Sequence, residues 1–272
     1  MSKKIVILYS GGLDSYMMYQ YAMKTKPDYE IICVYYNHGH KAGKQEMKYL
    51  PAFVKIMNID WLEENYKLYG ENNLIIPGRN LAFVTLAACK FLPNEIWIGS
   101  LKGEDYELAT DKNAKFKELA NSTLNYVLSP YIQENIKIVA PFQEIGFDKS
   151  KLIQWAIDNG IELETLINDT KSCYSEFDQP CGECFQCLKR WALFGYYGKK
   201  ENYIKQPNTT DFGKEFITTL LESKLGIKNK FKTEFVDYNE TILSFILSHI
   251  QENENEYDSY IINLAKEIKN AK

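Results

Sequence analysis

The chain has 272 residues, of which 45% are hydrophobic and 25% are charged, and its formal net charge is −4. This length allows one large or two modest domains, and the composition is ordinary for a globular protein. The acidic balance provides no basic surplus, so a nucleic-acid partner is disfavoured. The sequence has no apolar run of membrane-spanning length, and MSKKIVILYSGG lacks the features of a signal peptide. We therefore expect a cytoplasmic protein with no membrane partner.

Apolar runs alternate with stretches of helical period over roughly the first 170 residues, as in a series of βαβ units. Strands are predicted at Lys4–Tyr9, Glu30–Tyr36, Glu95–Gly99 and Ile136–Ala140. Helices are predicted at Ser15–Thr25, Gln45–Met57, Arg79–Phe91, Lys115–Leu128 and Lys149–Asn159. This order predicts an α/β fold with a doubly wound, mostly parallel sheet. Ligands of such sheets bind outside the carboxyl ends of the strands.

The pattern changes at Asp169, where a cysteine-rich segment begins and leads into the helical stretch LKRWALFGYY. Three further helices are predicted at Asp211–Leu225, Tyr238–Gln251 and Tyr257–Lys269. Their apolar residues recur at helical spacing, so these helices are expected to pack on something. We predict three segments: an α/β domain at 1–168, a cysteine-rich segment at 169–203 and a helical extension at 204–272.

The stretch SGGLDS follows the first predicted strand directly. Its residues are Ser10, Gly11, Gly12, Leu13, Asp14 and Ser15. A strand that feeds such a loop into a helix presents several backbone N–H groups at the helix N-terminus, which is an anion site. The glycines permit close backbone approach, and Asp14 makes sense if Mg²⁺ accompanies bound phosphates. The plainer alternative is a glycine turn capped by Asp14 or Ser15.

SGGLDS resembles the signature of the PP-loop ATP pyrophosphatases, enzymes that split ATP into AMP and pyrophosphate to activate a substrate. The loop has neither the lysine of a Walker A motif nor the spacing of GxGxxG. The resemblance implies that ATP binds here, with the pyrophosphate end held by the loop.

Four cysteines form a cluster within fifteen residues: Cys173, Cys181, Cys184 and Cys187. Four thiolates fit a tetrahedral Zn²⁺ ion, and a closed shell of four ligands is typical of a structural site. An iron–sulfur cluster also accepts four cysteines, so the residues alone leave the metal open. Disulfides or free thiols are the alternative without a metal.

The loop and the cysteine cluster together resemble QueC, the 7-cyano-7-deazaguanine synthase family. Two further elements recur between them in the family's order: IPGRNLAF, with Arg79 and Asn80, and PFQEIGFDKSKLI, with Lys149. The resemblance runs from about Lys4 to Arg190.

This resemblance implies an enzyme that uses ATP to adenylate the carboxylate of 7-carboxy-7-deazaguanine and then joins it to ammonia. The amide formed would be adenylated again and lose AMP to leave the nitrile. SGGLDS would hold phosphates and Mg²⁺, Asp14, Lys149 and Arg79 would serve catalysis, and Asn80 would orient a ligand. The alternatives without a catalytic or binding role are that Arg79 pairs with a surface carboxylate, that Asn80 caps a helix and that Lys149 is solvated.

The chain departs from the family pattern in three places. NHGHKAGKQE, with His38 and His40, replaces a YGQRH-like stretch, and ATDKN replaces a YPDCR-like stretch, of which Asp111 carries over. The chain also continues well beyond Cys187. These departures keep open an alternative in which the activated acyl group is joined to an amine of a partner protein, as in antiviral defence. A sensor that binds a nucleotide without catalysis is a third hypothesis, and the oligomeric state, including a homodimer, is left open.

Overall fold

The computed structural model of the protein describes residues 2–39, 43–59, 78–104, 110–173, 175–227 and 239–271. The chain divides into two compact units. The first is formed by Met1–Asp148 and Asp169–Lys171, and the second by Lys149–Asn168 and Ser172–Lys272. The predicted segments 1–168, 169–203 and 204–272 stay a prediction.

The first unit contains a five-stranded parallel sheet. Its strands are β1 (Lys4–Leu8), β2 (Glu30–Asn37), β3 (Lys55–Asn58), β4 (Glu95–Trp97) and β5 (Lys137–Val139). The strand order is β3-β2-β1-β4-β5, and every pairing is parallel. The central strand, β1, pairs through Ile7 with Cys33 of β2 on one side and with Trp97 of β4 on the other. This confirms the predicted doubly wound α/β class.

Helices alternate along the chain with the strands of the first unit, and the second unit, where the structure describes it, contains helices and no strand of this sheet. Those that begin in the first unit are α1 (Leu13–Thr25), α2 (Gly43–Glu46), α3 (Arg79–Phe91), α4 (Ala114–Leu128) and α5 (Pro141–Glu144). Those that begin in the second unit are α6 (Lys149–Asp158), α7 (Leu163–Asp169), α8 (Phe185–Tyr196), α9 (Asp211–Lys224), α10 (Asn239–Glu252) and α11 (Ser259–Asn270). The predicted helical C-terminal region is therefore confirmed.

One face of the sheet forms a core with α3 and α4. Val6, Val34 and Ile96 from three neighbouring strands are buried there against Val84 of α3 and Leu124 of α4. Short strands rich in β-branched residues are typical of a sheet covered by helices, and each Å² of apolar surface that they bury stabilises the fold by about 25 cal/mol. This packing fixes the edge of the sheet at which the loop after β1 lies.

The predicted helix at Gln45–Met57 is wrong. The chain forms only the short α2 and a 3₁₀ turn at Met47–Tyr49, and then enters β3, an exposed edge strand that the sequence reading missed. The reason is Pro51, because a residue before proline is driven out of the α region. Leu50 accordingly has φ −87° and ψ 119°.

The second unit is helical around the cysteine-rich segment. Helix α10 packs on α8, where the ring of Phe245 lies 4.9 Å from that of Trp191. Gly195 permits this contact, since a Cβ at that position would lie 2.3 Å from the Phe245 ring. In the described part of the chain, no helix has the length and apolar character needed to cross a bilayer.

Candidate functional site

The glycine loop joins the central strand β1 to helix α1. Gly12 is the N-cap residue and has no side chain, so the plainer alternative, a cap by Asp14 or Ser15, is not what the structure has. The Ser15 hydroxyl donates to the Gly12 carbonyl at 2.9 Å, and the Gly12 N–H donates to Ser10 Oγ at 3.4 Å. These hydrogen bonds form a tight turn that leads directly into the N-terminus of α1, where the helix dipole is positive and favours an anion.

Gly11 is required by its positive φ and a close contact with a distant part of the chain, and Gly12 lies near another distant segment. Gly11 has φ +75°, and a Cβ there would lie 3.0 Å from the carbonyl oxygen of Glu46. A Cβ on Gly12 would lie 3.4 Å from the carbonyl oxygen of Lys171. The loop is therefore shaped by segments that the motif itself does not contain.

The loop lies where the strand order of the sheet reverses. The chain moves from β1 outward to β2 on one side, and returns to β4 on the other side. Gly99, just after β4, faces α1, since a Cβ on it would lie 3.7 Å from Cβ of Asp14. Ligands of open α/β sheets bind at this switch point, outside the carboxyl ends of the strands.

A half-buried carboxylate, Glu46, lies beside the loop and was not among the sequence candidates. The Tyr35 hydroxyl donates to Glu46 Oε2 at 2.8 Å. Burial raises the pKa of Glu46 above its usual value, and the Tyr35 hydrogen bond and the charges of Arg79 and Lys171 offset part of that rise. The charge of Arg79 thus acts on a half-buried carboxylate beside the loop, and the role of Arg79 stays a prediction.

Lys171 is the second residue at the loop that the sequence reading missed. It is 5% exposed, and its N–H donates to the Gly11 carbonyl at 2.9 Å. It lies two residues before Cys173, where the cysteine spacing drew attention to metal ligands instead. The available signal was the absence of a cation from SGGLDS.

The other predicted residues are found in different settings. Asn80 Nδ2 donates to the Asp111 carbonyl oxygen at 3.2 Å and to Asp111 Oδ2 at 3.0 Å, while the N-cap of α3 is Gly78. Asn80 is therefore not a helix cap. Lys149 begins α6 and belongs to the second unit.

Of the two histidines after β2, His38 is buried, with its ring centroid 5.7 Å from that of Phe83. Phe83 in turn stacks on Tyr36 at 4.8 Å, so these aromatic rings form one group behind the carboxyl end of β2. His40 lies outside the described residues.

The four clustered cysteines converge on one point in the second unit. Their sulfur atoms all lie within 4.8 Å of one another. The Sγ–Sγ distance is 3.5 Å for Cys173 and Cys181, 3.5 Å for Cys184 and Cys187, and 3.9 Å for Cys181 and Cys187. A single tetrahedral ion with bonds of 2.3 Å to sulfur needs separations of about 3.8 Å. The four cysteines could therefore hold a metal ion, and their geometry suits a single one.

The hydrogen bonds among these thiols favour a thiolate. Those from Cys184 and Cys187 lower the pKa of Cys173 well below its ordinary value. A thiolate is the form that binds a metal ion, so these hydrogen bonds prepare Cys173 as a ligand, while hydrogen bonds with Cys173 raise the pKa of Cys184 and Cys187.

The chain beyond α8 wraps the cysteine segment. The N–H groups of Ile204 and Lys205 donate to the carbonyls of Pro180 and Cys181, at 2.9 Å and 3.2 Å. Gly182 has φ +79°, and a Cβ on it would lie 1.7 Å from the Lys205 carbonyl oxygen. The cysteine segment and the start of the C-terminal extension are thus packed against each other and joined by backbone hydrogen bonds.

A buried ion pair supports the same region. Arg190, one turn after Cys187 on α8, donates from Nε to both carboxylate oxygens of Glu201, at 3.1 Å and 3.0 Å, and from Nη2 to Oε1 at 2.8 Å. Both side chains are 6% exposed. The Tyr203 hydroxyl also donates to Glu201. Each charge is compensated, which is the condition for burying such a pair.

Comparison with known proteins matches this chain to one family. A family model described as "Queuosine biosynthesis protein QueC" matches residues 63–198, which is half of the chain. The 7-cyano-7-deazaguanine synthase of Methanobrevibacter smithii is 29% identical over 226 residues, covering 71% of this chain and 94% of that protein. The enzyme of the same name from a Nitratiruptor species is 29% identical over 223 residues, with 73% and 96% covered.

Among solved structures, the U34-tRNA thiolase NcsA from Methanococcus maripaludis with its 4Fe-4S cluster is 14% identical. It covers 93% of this chain and 72% of its own, at a TM-score of 0.36. A score this low carries no argument about the fold, the metal or the substrate of this protein.

Proposed function

Because this chain belongs to the family of the queuosine biosynthesis protein QueC, we propose that it is an ATP-dependent enzyme that activates the carboxylate of 7-carboxy-7-deazaguanine. Its relatives are named 7-cyano-7-deazaguanine synthase, and activation of a carboxylate followed by dehydration of the amide is one route to a nitrile on that ring. A carboxylate is a poor electrophile, so it needs an activated leaving group before an amine can displace it.

The observation that carries this proposal is the glycine loop at the switch point of the sheet. Backbone N–H groups at the start of α1 and the hydroxyls of Ser10 and Ser15 are suited to phosphate oxygens. Asp14, at that same helix start, offers the carboxylate oxygen that Mg²⁺ prefers, and the ion would neutralise phosphate charge. The loop, Leu13 included, would thus hold the pyrophosphate end of ATP.

The reaction would proceed in balanced steps. A carboxylate oxygen attacks the α-phosphorus of ATP and pyrophosphate leaves. The nitrogen of ammonia then attacks the acyl carbon, AMP leaves and an amide forms. The amide oxygen then attacks the α-phosphorus of a second ATP and pyrophosphate leaves; loss of AMP and of the two protons on the amide nitrogen gives the nitrile.

Two cationic residues and one amide would serve these steps. Arg79 and Lys149 would stabilise negative charge as it develops. Asn80 would help to orient a ligand by holding Asp111 in place through its two hydrogen bonds. Their shared task is to align the reacting groups and exclude water.

We propose Zn²⁺ as the ion of the cysteine cluster. Four thiolates with separations near those of one tetrahedral ion make a closed shell, which leaves no position for a substrate. The ion would hold the cysteine segment in its folded form and take no part in the chemistry.

A second candidate function differs only in the acceptor. The family match ends at residue 198, and the helices α9 to α11 follow it. An extension outside the activating machinery would suit recognition of an amine on a partner protein, which would then receive the acyl group in place of ammonia.

The test is a single incubation of the full-length protein with ATP, Mg²⁺, 7-carboxy-7-deazaguanine and ammonium, followed by mass analysis of all products. We expect AMP and pyrophosphate only when the carboxylate is present, together with the amide and the nitrile. AMP release without a nitrile would favour the protein-amine acceptor.

A reaction without the carboxylate is the control. ATP binding with no release of pyrophosphate under any of these conditions would contradict an enzyme and leave the nucleotide sensor.

A further inference from the structure

The glycine loop of this chain, SGGLDS, carries no positive charge of its own. The one charged residue in SGGLDS is Asp14. Loops that hold a triphosphate are usually completed by a lysine or arginine, because backbone N–H groups alone do not neutralise the phosphates. Some other segment is therefore expected to bring a cation to this loop.

Lys171 is tied to the loop through its own backbone. Its N–H donates to the carbonyl of Gly11 at 2.9 Å. Its carbonyl oxygen lies 3.4 Å from the position of a Cβ on Gly12. The backbone of Lys171 is thus hydrogen-bonded to Gly11 and lies next to Gly12, so its side chain starts at the loop.

The side chain of Lys171 is buried in charged surroundings. The residue is 5% exposed, and its charge and that of Arg79 both act on Glu46. The Glu46 side chain accepts a hydrogen bond from Tyr35 of β2 at 2.8 Å, and the Glu46 carbonyl oxygen lies beside the loop, 3.0 Å from the Cβ position on Gly11. Burying a lysine is costly, and an apolar side chain would fill the same volume at lower cost.

We propose that Lys171 binds the phosphates of ATP, supplying to the glycine loop the cation that SGGLDS lacks. This inference rests on the proposed function, since it assigns a further residue to the same site. Lys171 lies in the first unit with the loop, and it is brought there by the short return of the chain at Asp169–Lys171.

The test compares the full-length protein with Lys171→Gln, Lys171→Arg and Lys26→Gln. Lys26 is the matched control, because it makes a partly buried ion pair with Glu95 at 3.0 Å in the same unit. Glu95 is the first residue of β4, so this pair lies at the amino ends of the strands, away from the glycine loop. The probes are pyrophosphate and ATP, each with Mg²⁺, titrated by calorimetry. Turnover with the carboxylate substrate is measured in parallel.

We expect Lys171→Gln to raise the Kd for both probes about tenfold or more, as loss of one charge-assisted contact does. Lys171→Arg should restore most of the affinity, and Lys26→Gln should leave it unchanged. A purely structural lysine would change the melting temperature and not these affinities. If Lys171→Gln fails to fold, Lys171→Met, which suits a buried position, replaces it.

Wild-type affinity in the Gln or Met variant overturns the inference and leaves the proposed function standing. Weakened binding without any pyrophosphate release in the wild type supports the inference and contradicts the proposed function. Failure of the wild type to bind either probe removes both.

Discussion

The glycine loop and the cysteine cluster are built in different ways. The four cysteines lie close together in the sequence, and their sulfurs meet within 4.8 Å. The loop is also local, but its environment is not, because Glu46, Arg79 and Lys171 come from separate parts of the first unit. One site depends on a few turns of chain and an ion, while the other depends on a whole sheet being folded.

This difference predicts different consequences of damage. Loss of a metal ligand removes binding energy that holds local structure, so it should appear as loss of folding. Loss of a loop residue leaves the sheet intact, so it should appear as loss of chemistry with little loss of stability. Four experiments, from the largest expected effect to the smallest, can break or sharpen this contrast.

The largest effect is expected at the metal site. Cys184→Ser removes one of four thiolates, and structural zinc sites contribute folding free energy on the order of 10 kcal/mol. Metal analysis of the wild type should find about one zinc per chain, and the variant should lose the metal and melt at a much lower temperature. Cys89→Ser is the control, since Cys89 is exposed and outside the cluster. Iron with sulfide in the wild type, or no metal, would refute the zinc assignment.

The next effect concerns chemistry alone. Ser10→Ala and Asp14→Ala should each lower AMP and pyrophosphate formation by about 10²–10³-fold, because each removes a group aimed at phosphate or Mg²⁺. Thermal melting should change little. Asp28→Ala, at an exposed position after α1, should leave the rate unchanged. Rates in both loop variants equal to the wild type would remove the loop from the mechanism.

The contrast between the two sites also explains what the sequence could predict. The four clustered cysteines were predicted together as ligands, because their spacing keeps the four sulfurs close to one another. The parallel sheet and the helix Arg79–Phe91 followed from apolar periodicity, which reports on local burial. The helix predicted at Gln45–Met57 is wrong because periodicity reports only the spacing of apolar residues. It does not register that Pro51 drives the residue before it out of the helical conformation.

The partners of the loop were beyond the reach of such patterns. Glu46 and Lys171 touch Gly11 and Gly12 only after the sheet has formed, and no spacing in the sequence relates them. Asn80 and Asp111 are joined in the same way, by packing of segments that lie far apart along the chain. Long-range contacts are the part of a site that one sequence does not specify locally.

A third experiment tests how the second unit is held together beyond its metal. Glu201→Gln leaves the Arg190 guanidinium buried without its compensating charge, and breaking such a pair costs about 3–5 kcal/mol. Glu240→Gln, in the exposed pair with Lys224 at 2.8 Å, should cost under about 1 kcal/mol. Denaturant unfolding of both variants measures the difference. Equal losses would mean that the buried pair contributes no more than a surface one.

The smallest effect concerns the pH response of the helical extension. His249 on α10 packs on Trp191, with ring centroids 5.1 Å apart, and its Nδ1 lies 2.9 Å from the Tyr257 hydroxyl. Asn208 Nδ2 donates to that hydroxyl at 3.2 Å, which leaves the Tyr257 proton for Nδ1. This chain of hydrogen bonds needs a neutral imidazole. Burial lowers the pKa of His249, while Glu256 and Glu252 partly oppose the change.

Because the folded protein then binds fewer protons than the unfolded chain, the contribution of neutral His249 is complete above the ordinary pKa of 6.5 and declines as the pH falls below it. We expect the melting temperature of the wild type to fall between about pH 7 and 5 more steeply than that of His249→Gln, which cannot be protonated. Carboxylates titrate in both proteins, so the difference between the two curves isolates His249. Parallel curves would show that the imidazole is accommodated equally well in its charged form, and that Tyr257 and Asn208 do not discriminate between the two forms.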